Sequence, residues 1–186
     1  MTEAPGKREG LITREDCVLL VIDAQERLMP VIHRREEVTK NIVRLIKFAH
    51  IIGLPIIYTE QENLGPTIPE VHAVASDLEP MAKIHFNCFY NRAFGEKIAT
   101  LSPRTLLLAG VETHICVAQT ALYALPHFTV HVISDATSSR VTENWAFSIE
   151  RMRQCGAVIT TTEMLMYELL QKAGTDEFRA ALLLVK

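Results

Sequence analysis

The chain has 186 residues, 48% of them apolar and 22% charged, with a formal net charge of −3. That length suits one large core and is short for two, so a single domain over 1–186 is expected. The mildly acidic balance and scattered basic residues exclude a general pull toward nucleic acid. Met1–Lys7 carries no apolar signal segment. No stretch approaches the roughly 18 apolar residues of a membrane span, so no membrane partner and a soluble, cytoplasmic protein are expected.

Short β-branched runs alternate with amphipathic stretches along the chain. Cys17 to Asp23, Leu54 to Thr59, Arg104 to Ala109, Phe128 to Ser134 and Ala157 to Thr160 are continuous apolar runs, which predicts strands buried on both faces. Val38 to Ile52 sets Val38, Ile42, Leu45, Ile46 and Ala49 on one helical stripe, and Gly53-Leu54-Pro55 ends it. Lys83-Ile84-His85-Phe86 is a short run of strand character. Helices are predicted over Thr113 to Leu125, stopped by Pro126, and over Thr142 to Cys155, before Gly156. Thr161 to Lys186 reads as helical, capped by its threonines. Repeated βα units imply an α/β fold, with helices on both faces of a parallel sheet.

In such a sheet, ligands bind beyond the carboxyl ends of the strands. Asp23 and Thr59 end the first two strands, Gly110 follows the strand before Cys116, and Lys83 opens the short run. An acid, a lysine and a thiol therefore gather at one rim. Cys116 lies three residues into a predicted helix, where the dipole favours a thiolate. Taken singly, each has a plainer reading: Asp23 as a cap, Lys83 as a solvated surface residue, Cys116 as a packed thiol. Cys17 and Cys155 keep the packing role. No Cys-x-x-Cys pair occurs, and all four cysteines read as reduced. By position, Gln25, Thr59, Gln61, Phe86, Asn87 and Phe89 are substrate-contact candidates. His85 alternates with Lys83 on a strand and shares its face. His114 is two residues from Cys116 on a helix and does not face it.

Leu20-Val21-Ile22-Asp23-Ala24-Gln25, Lys83-Ile84-His85-Phe86 and Gly110-Val111-Glu112-Thr113-His114-Ile115-Cys116-Val117, in this order and spacing, resemble the isochorismatase-like cysteine hydrolases. The likeness runs from Val18 to the C-terminus. Thr59-Glu60-Gln61, Leu64-Gly65-Pro66-Thr67 and Ile159-Thr160-Thr161-Thr162-Glu163 look like the isochorismatase-domain branch rather than the dedicated isochorismatases. The resemblance implies a three-layer α/β/α, Rossmann-like fold on a six-stranded, mostly parallel sheet. It also implies an Asp23, Lys83, Cys116 triad and a non-proline cis peptide between Val111 and Glu112. The implied chemistry is hydrolysis of an amide or related acyl bond in a small molecule through a thioester. Lys83 and the helix end would favour the thiolate, Asp23 would move the proton, and backbone N–H groups of Cys116 and the Val111, Glu112, Thr113 turn would hold the oxyanion.

Two other readings stand beside this one: vinyl-ether cleavage without a thioester, and a binding protein that kept the fold but lost turnover. Redox sensing through Cys116 would need Cys88 as the resolving thiol. Nicotinamidases, a related subfamily, hold a metal through an aspartate and two histidines after the second strand. Here that stretch is Glu60, Gln61, Glu62 and Asn63, with His72 the only nearby histidine, so no metal and no cofactor are expected. The resemblance also implies a homo-oligomer, and the apolar run Ala180 to Val185 can pack internally or cover a partner.

Overall fold

The structure is a computed structural model that describes residues 10–185. The expectations for Met1–Lys7 and for Lys186 lie outside the described residues. Strand β1 (Cys17–Ile22) is followed by helix α1 (Arg35–Ile52), β2 (Ile56–Gln61), a short α2 (Pro69–His72), β3 (Met81–Lys83) and α3 (Arg92–Leu101). Then come β4 (Thr105–Val111), a π-helical turn (Thr113–Val117), α4 (Ala118–Ala124), β5 (Thr129–Ser138), α5 (Thr142–Gln154), β6 (Val158–Thr160), α6 (Thr162–Leu170) and α7 (Asp176–Val185). The six strands form one sheet in the order β3-β2-β1-β4-β5-β6. Every pairing in it is parallel, rather than mostly so.

The sheet divides the core into two apolar layers. On one face, Leu19, Val21, Leu107 and Ile133 pack with Ile42, Leu45 and Ile46 of α1 and with Leu165 and Leu169 of α6. On the other, Val18, Leu20, Leu106 and Leu108 meet Phe94 and Ile98 of α3, Ala121 of α4 and Ile149 of α5. Alternate strand residues thus feed opposite layers, which is why β1 and β4 are apolar throughout. The stripe predicted on α1 is buried at every position. Gly53, at φ 69, closes that helix with its N–H on Ala49 and His50 carbonyls, a left-handed cap that glycine adopts without strain.

The structure departs from the sequence reading where tertiary pairing overrides local pattern. β5 runs on to Ser138, four residues past the predicted end, because Thr137 and Ser138 pair with Gly110 and Val111 of β4. β3 stops at Lys83, so the predicted strand through Phe86 is not formed; Ile84 and Phe86 are exposed, and His85 instead meets Tyr90 edge-on at 5.8 Å. The C-terminal segment is two helices, separated at Gln171, which adopts φ 60. Its final run packs internally in part: Ala181 is buried and Leu184 and Val185 rest on the α1 layer, whereas Leu183 is exposed. Cys155 is exposed: α5 ends at Gln154, and the core is rejoined only at Ala157, beyond Gly156 at φ 107. Among the described residues, no helix is long and apolar enough to cross a membrane.

Candidate functional site

The sheet reverses its winding direction between β1 and β4, with β2 and β3 built out to one side and β5 and β6 to the other. At such a switch point, adjacent loops leave in opposite directions and open a crevice. Asp23 follows β1 directly. Gly110, Val111 and Cys116 lie at and just beyond the end of β4. The approach of these two strands is unusually close: a Cβ on Gly110 would lie 2.0 Å from the Ile22 carbonyl oxygen, and Gly110 itself has φ +111. The next peptide, Val111-Glu112, is cis.

Asp23 is fully buried and adopts φ 52, a left-handed conformation that costs a non-glycine residue of order 1 kcal/mol. One carboxylate oxygen accepts from the Thr59 hydroxyl at 2.7 Å and the other from the Lys83 ammonium at 2.7 Å. Lys83, brought beside Gln61 by the β2–β3 register, is also buried. Its three N–H bonds go to Asp23, to Gln61 Oε1 at 2.7 Å and to Cys116 Sγ at 3.6 Å. The structure therefore brings all three of the residues read as a triad into one contact.

Burial opposes the Lys83 charge, but the attraction of Asp23 and Cys116 and the hydrogen bond to Asp23 outweigh it, and its pKa is raised. The ammonium and carboxylate thus form a standing ion pair. The Cys116 thiol behaves differently from the expectation of a dipole-stabilised thiolate. Its burial raises the pKa, Asp23 adds repulsion and a hydrogen bond in the same direction, and Lys83 opposes without prevailing. The residue lies in a π-helical turn rather than in a regular helix N-terminus. Burial and the neighbouring carboxylate thus both favour the protonated thiol.

The remaining expected residues divide by what they touch. Thr59 binds Asp23. Gln61 binds Lys83 and donates to the Ile84 carbonyl at 2.7 Å. Gln25 is fully buried, with its amide on the backbone of Gln61 and Gly65, so it supports the site from behind rather than lining its rim. Asn87 is buried and caps the turn Cys88–Tyr90 by accepting from the Phe89 N–H. Phe89 joins an aromatic cluster, edge-on to Phe94 at 5.1 Å and stacked on Tyr123 at 5.3 Å. Phe86 is exposed. Val111 and Glu112 are buried, and Thr113 is fully buried with its hydroxyl unpartnered.

Sequence reasoning missed the support that comes from the end of β5. The Glu112 carboxylate accepts from the Arg140 N–H at 2.9 Å and its guanidinium at 3.2 Å, and His114 Nδ1 lies 2.9 Å from the Ser139 hydroxyl. The polar run Ser138-Ser139-Arg140 carries no strand signal, and only the pairing with β4 reveals it. Cys88 is buried behind the site, its N–H on Thr120, one helical turn beyond Cys116. Among the described residues, no three His, Cys, Asp or Glu side chains gather as a metal site would require.

An open parallel α/β sheet with a thiol, a carboxylate and an ammonium group at its switch point defines the class of this molecule. The isochorismatase domain family model matches residues 17–164. The chain is 34% identical over 173 residues to isochorismatase domain-containing protein 2 of Danio rerio, covering 91% of this chain and 87% of that protein. Its fold is similar to a structure described as MAR1 ribonuclease of Caenorhabditis elegans, with TM-score 0.88, 29% identity, and 95% and 92% of the two chains covered. It is also similar to the YcaC gene product of Escherichia coli, described as an octameric hydrolase of unknown specificity, with TM-score 0.84, 27% identity, and 89% and 85% covered. This chain belongs to the isochorismatase domain family.

Proposed function

We propose that the whole chain acts as one hydrolase domain that cleaves an amide or related acyl bond in a small molecule through Cys116. The observation that carries this reading is the buried Lys83–Asp23 ion pair with Sγ of Cys116 3.6 Å from the same ammonium. As Sγ attacks the substrate carbonyl, its proton passes to Asp23 and the carbonyl electron pair becomes an oxyanion. Backbone N–H groups of Cys116 and the Val111 to Thr113 turn stabilise that charge. Collapse breaks the C–N bond, and the leaving amine takes the proton from Asp23. Water then attacks the thioester, giving a proton to Asp23, and the departing sulfur recovers it. Lys83 stays protonated throughout. Its charge offsets that of Asp23 at rest and favours the sulfur anion as each step forms it.

Neither a metal nor a cofactor enters this scheme. The partner is a small molecule rather than nucleic acid or a membrane, the setting is cytoplasmic, and the assembly is a homo-oligomer, as the octameric relative suggests. A hydrolysis screen over primary amides, carbamoyl compounds and vinyl ethers, with RNA included because of the nematode relative, tests the reading. On the substrate found, Cys116→Ala is expected to lower kcat/KM by about 10³-fold or more, and Asp23→Asn comparably. Full turnover by Cys116→Ala with loss in Asp23→Asn would instead assign vinyl-ether chemistry without a thioester. Absence of turnover on every class would favour a binding protein.

A further inference from the structure

The Lys83 ammonium is aimed by three hydrogen bonds, two of them to Asp23 and Cys116. Its third hydrogen bond ends on Gln61 Oε1. The Gln61 amide has one orientation available. The Ile84 carbonyl, 2.7 Å from Nε2, can only accept, so the NH₂ group faces it and the oxygen faces Lys83. Gln61 in turn is held by Gln25, whose Oε1 accepts from the Gln61 N–H at 2.8 Å and whose Nε2 donates to the Gln61 carbonyl at 3.0 Å and to that of Gly65. This side-chain amide grips one residue's backbone at both ends. Around it, the Glu26 N–H binds the Pro66 carbonyl at 2.9 Å and the Arg27 N–H that of Leu64 at 3.1 Å. The segment after Asp23 is thereby clasped to the loop after β2.

We propose that Gln25 is a positioning residue: by fixing the backbone of Gln61, it sets the hydrogen bond that aims the Lys83 ammonium at Sγ of Cys116. The inference rests on the reading of Lys83 as the group that favours the sulfur anion. Freed of Gln61, the ammonium would turn toward Asp23, and less of its charge would bear on the sulfur. Loss of Gln25 should therefore depress the reactivity of Cys116. A merely structural loosening would do the opposite, because it would expose a buried thiol and speed its modification.

The test follows iodoacetamide alkylation of Cys116 by peptide mapping in a Cys155→Ser background, which removes the exposed thiol. Lys83→Met and Gln61→Met should both slow the reaction. Gln25→Leu should slow it about three- to tenfold, a tenfold loss of thiolate corresponding to one pKa unit. The Gln25→Leu, Gln61→Met double variant should be no slower than Gln61→Met alone. If Gln25→Leu fails to fold, Gln25→Asn, whose shortened amide cannot span the clasp, carries the same expectation. Alkylation at or above the parent rate in the Gln25 variant, or additive slowing in the double variant, would overturn the inference alone. An unchanged rate in Lys83→Met would overturn the reading of the site together with it.

Discussion

Burial has opposite outcomes for the buried lysine of the site and for the buried thiols of the chain. Lys83 keeps its charge because the Asp23 carboxylate beside it offsets what the ammonium lost on leaving water. For the thiols burial prevails, even at Cys116, where the Lys83 ammonium lies 3.6 Å from Sγ. Burial pushes Cys17 up to about 12 and Cys88 up to about 11, from an ordinary 9.0. The folded chain therefore retains protons that the unfolded chain sheds. The stability tied to these thiols is present in full below pH 9.0 and declines as pH rises toward about 11 and 12. Urea midpoints should accordingly fall between pH about 8.5 and about 10.5, with a shallower fall in Cys17→Val; a midpoint that holds or rises across that range would contradict the assignment. At this scale, the order of predicted elements placed Asp23, Lys83 and Cys116 at one rim, and their reading as a triad came from the family resemblance. Neither revealed that the protonated thiol is favoured, since that depends on burial and on a carboxylate 93 positions away in the chain.

Among the elements, β4 carries the tightest constraint. Gly110 lies where β4 meets β1, and an added methyl group would sit 2.0 Å from the Ile22 carbonyl oxygen and 2.5 Å from the Ile22 nitrogen. Backbone in a paired central strand has nowhere to retreat, and φ +111 is itself strained for any residue with a Cβ. Gly110→Ala should cost ~3 kcal/mol or more in denaturant unfolding. A loss below about 0.5 kcal/mol, the range of ordinary surface substitutions, would show that the contact is not tight. Continuous apolar runs made β1, β4 and the core of β5 legible, and the α1 stripe was read position by position. α3 was not anticipated, although its signal was there: Asn91 caps it by accepting from the Phe94 N–H, and Phe94 and Ile98 form its buried face. The extension of β5 left no local signature, because it depends on pairing with β4.

For the molecule as a whole, topology brings chemistry from three strand ends to one place. The order β3-β2-β1-β4-β5-β6 puts Asp23 between the lysine side and the cysteine side of the crevice. The parallel registers bring Gln61 level with Lys83 and Ile22 level with Gly110. The architecture was legible from alternating βα units, whereas the clasp between the segments after β1 and β2 was not. If the proposed chemistry operates, Cys116 becomes covalently acylated with the help of Asp23 and Lys83. Mixing the protein with p-nitrophenyl acetate tests it most directly: the S–C bond forms as p-nitrophenolate leaves. We expect a burst of about one equivalent of p-nitrophenolate and an acetyl group mapped to Cys116. The burst should vanish in Cys116→Ala and slow in Lys83→Met and Asp23→Asn. No burst, or an acetyl group found only on the exposed Cys155, would contradict the account.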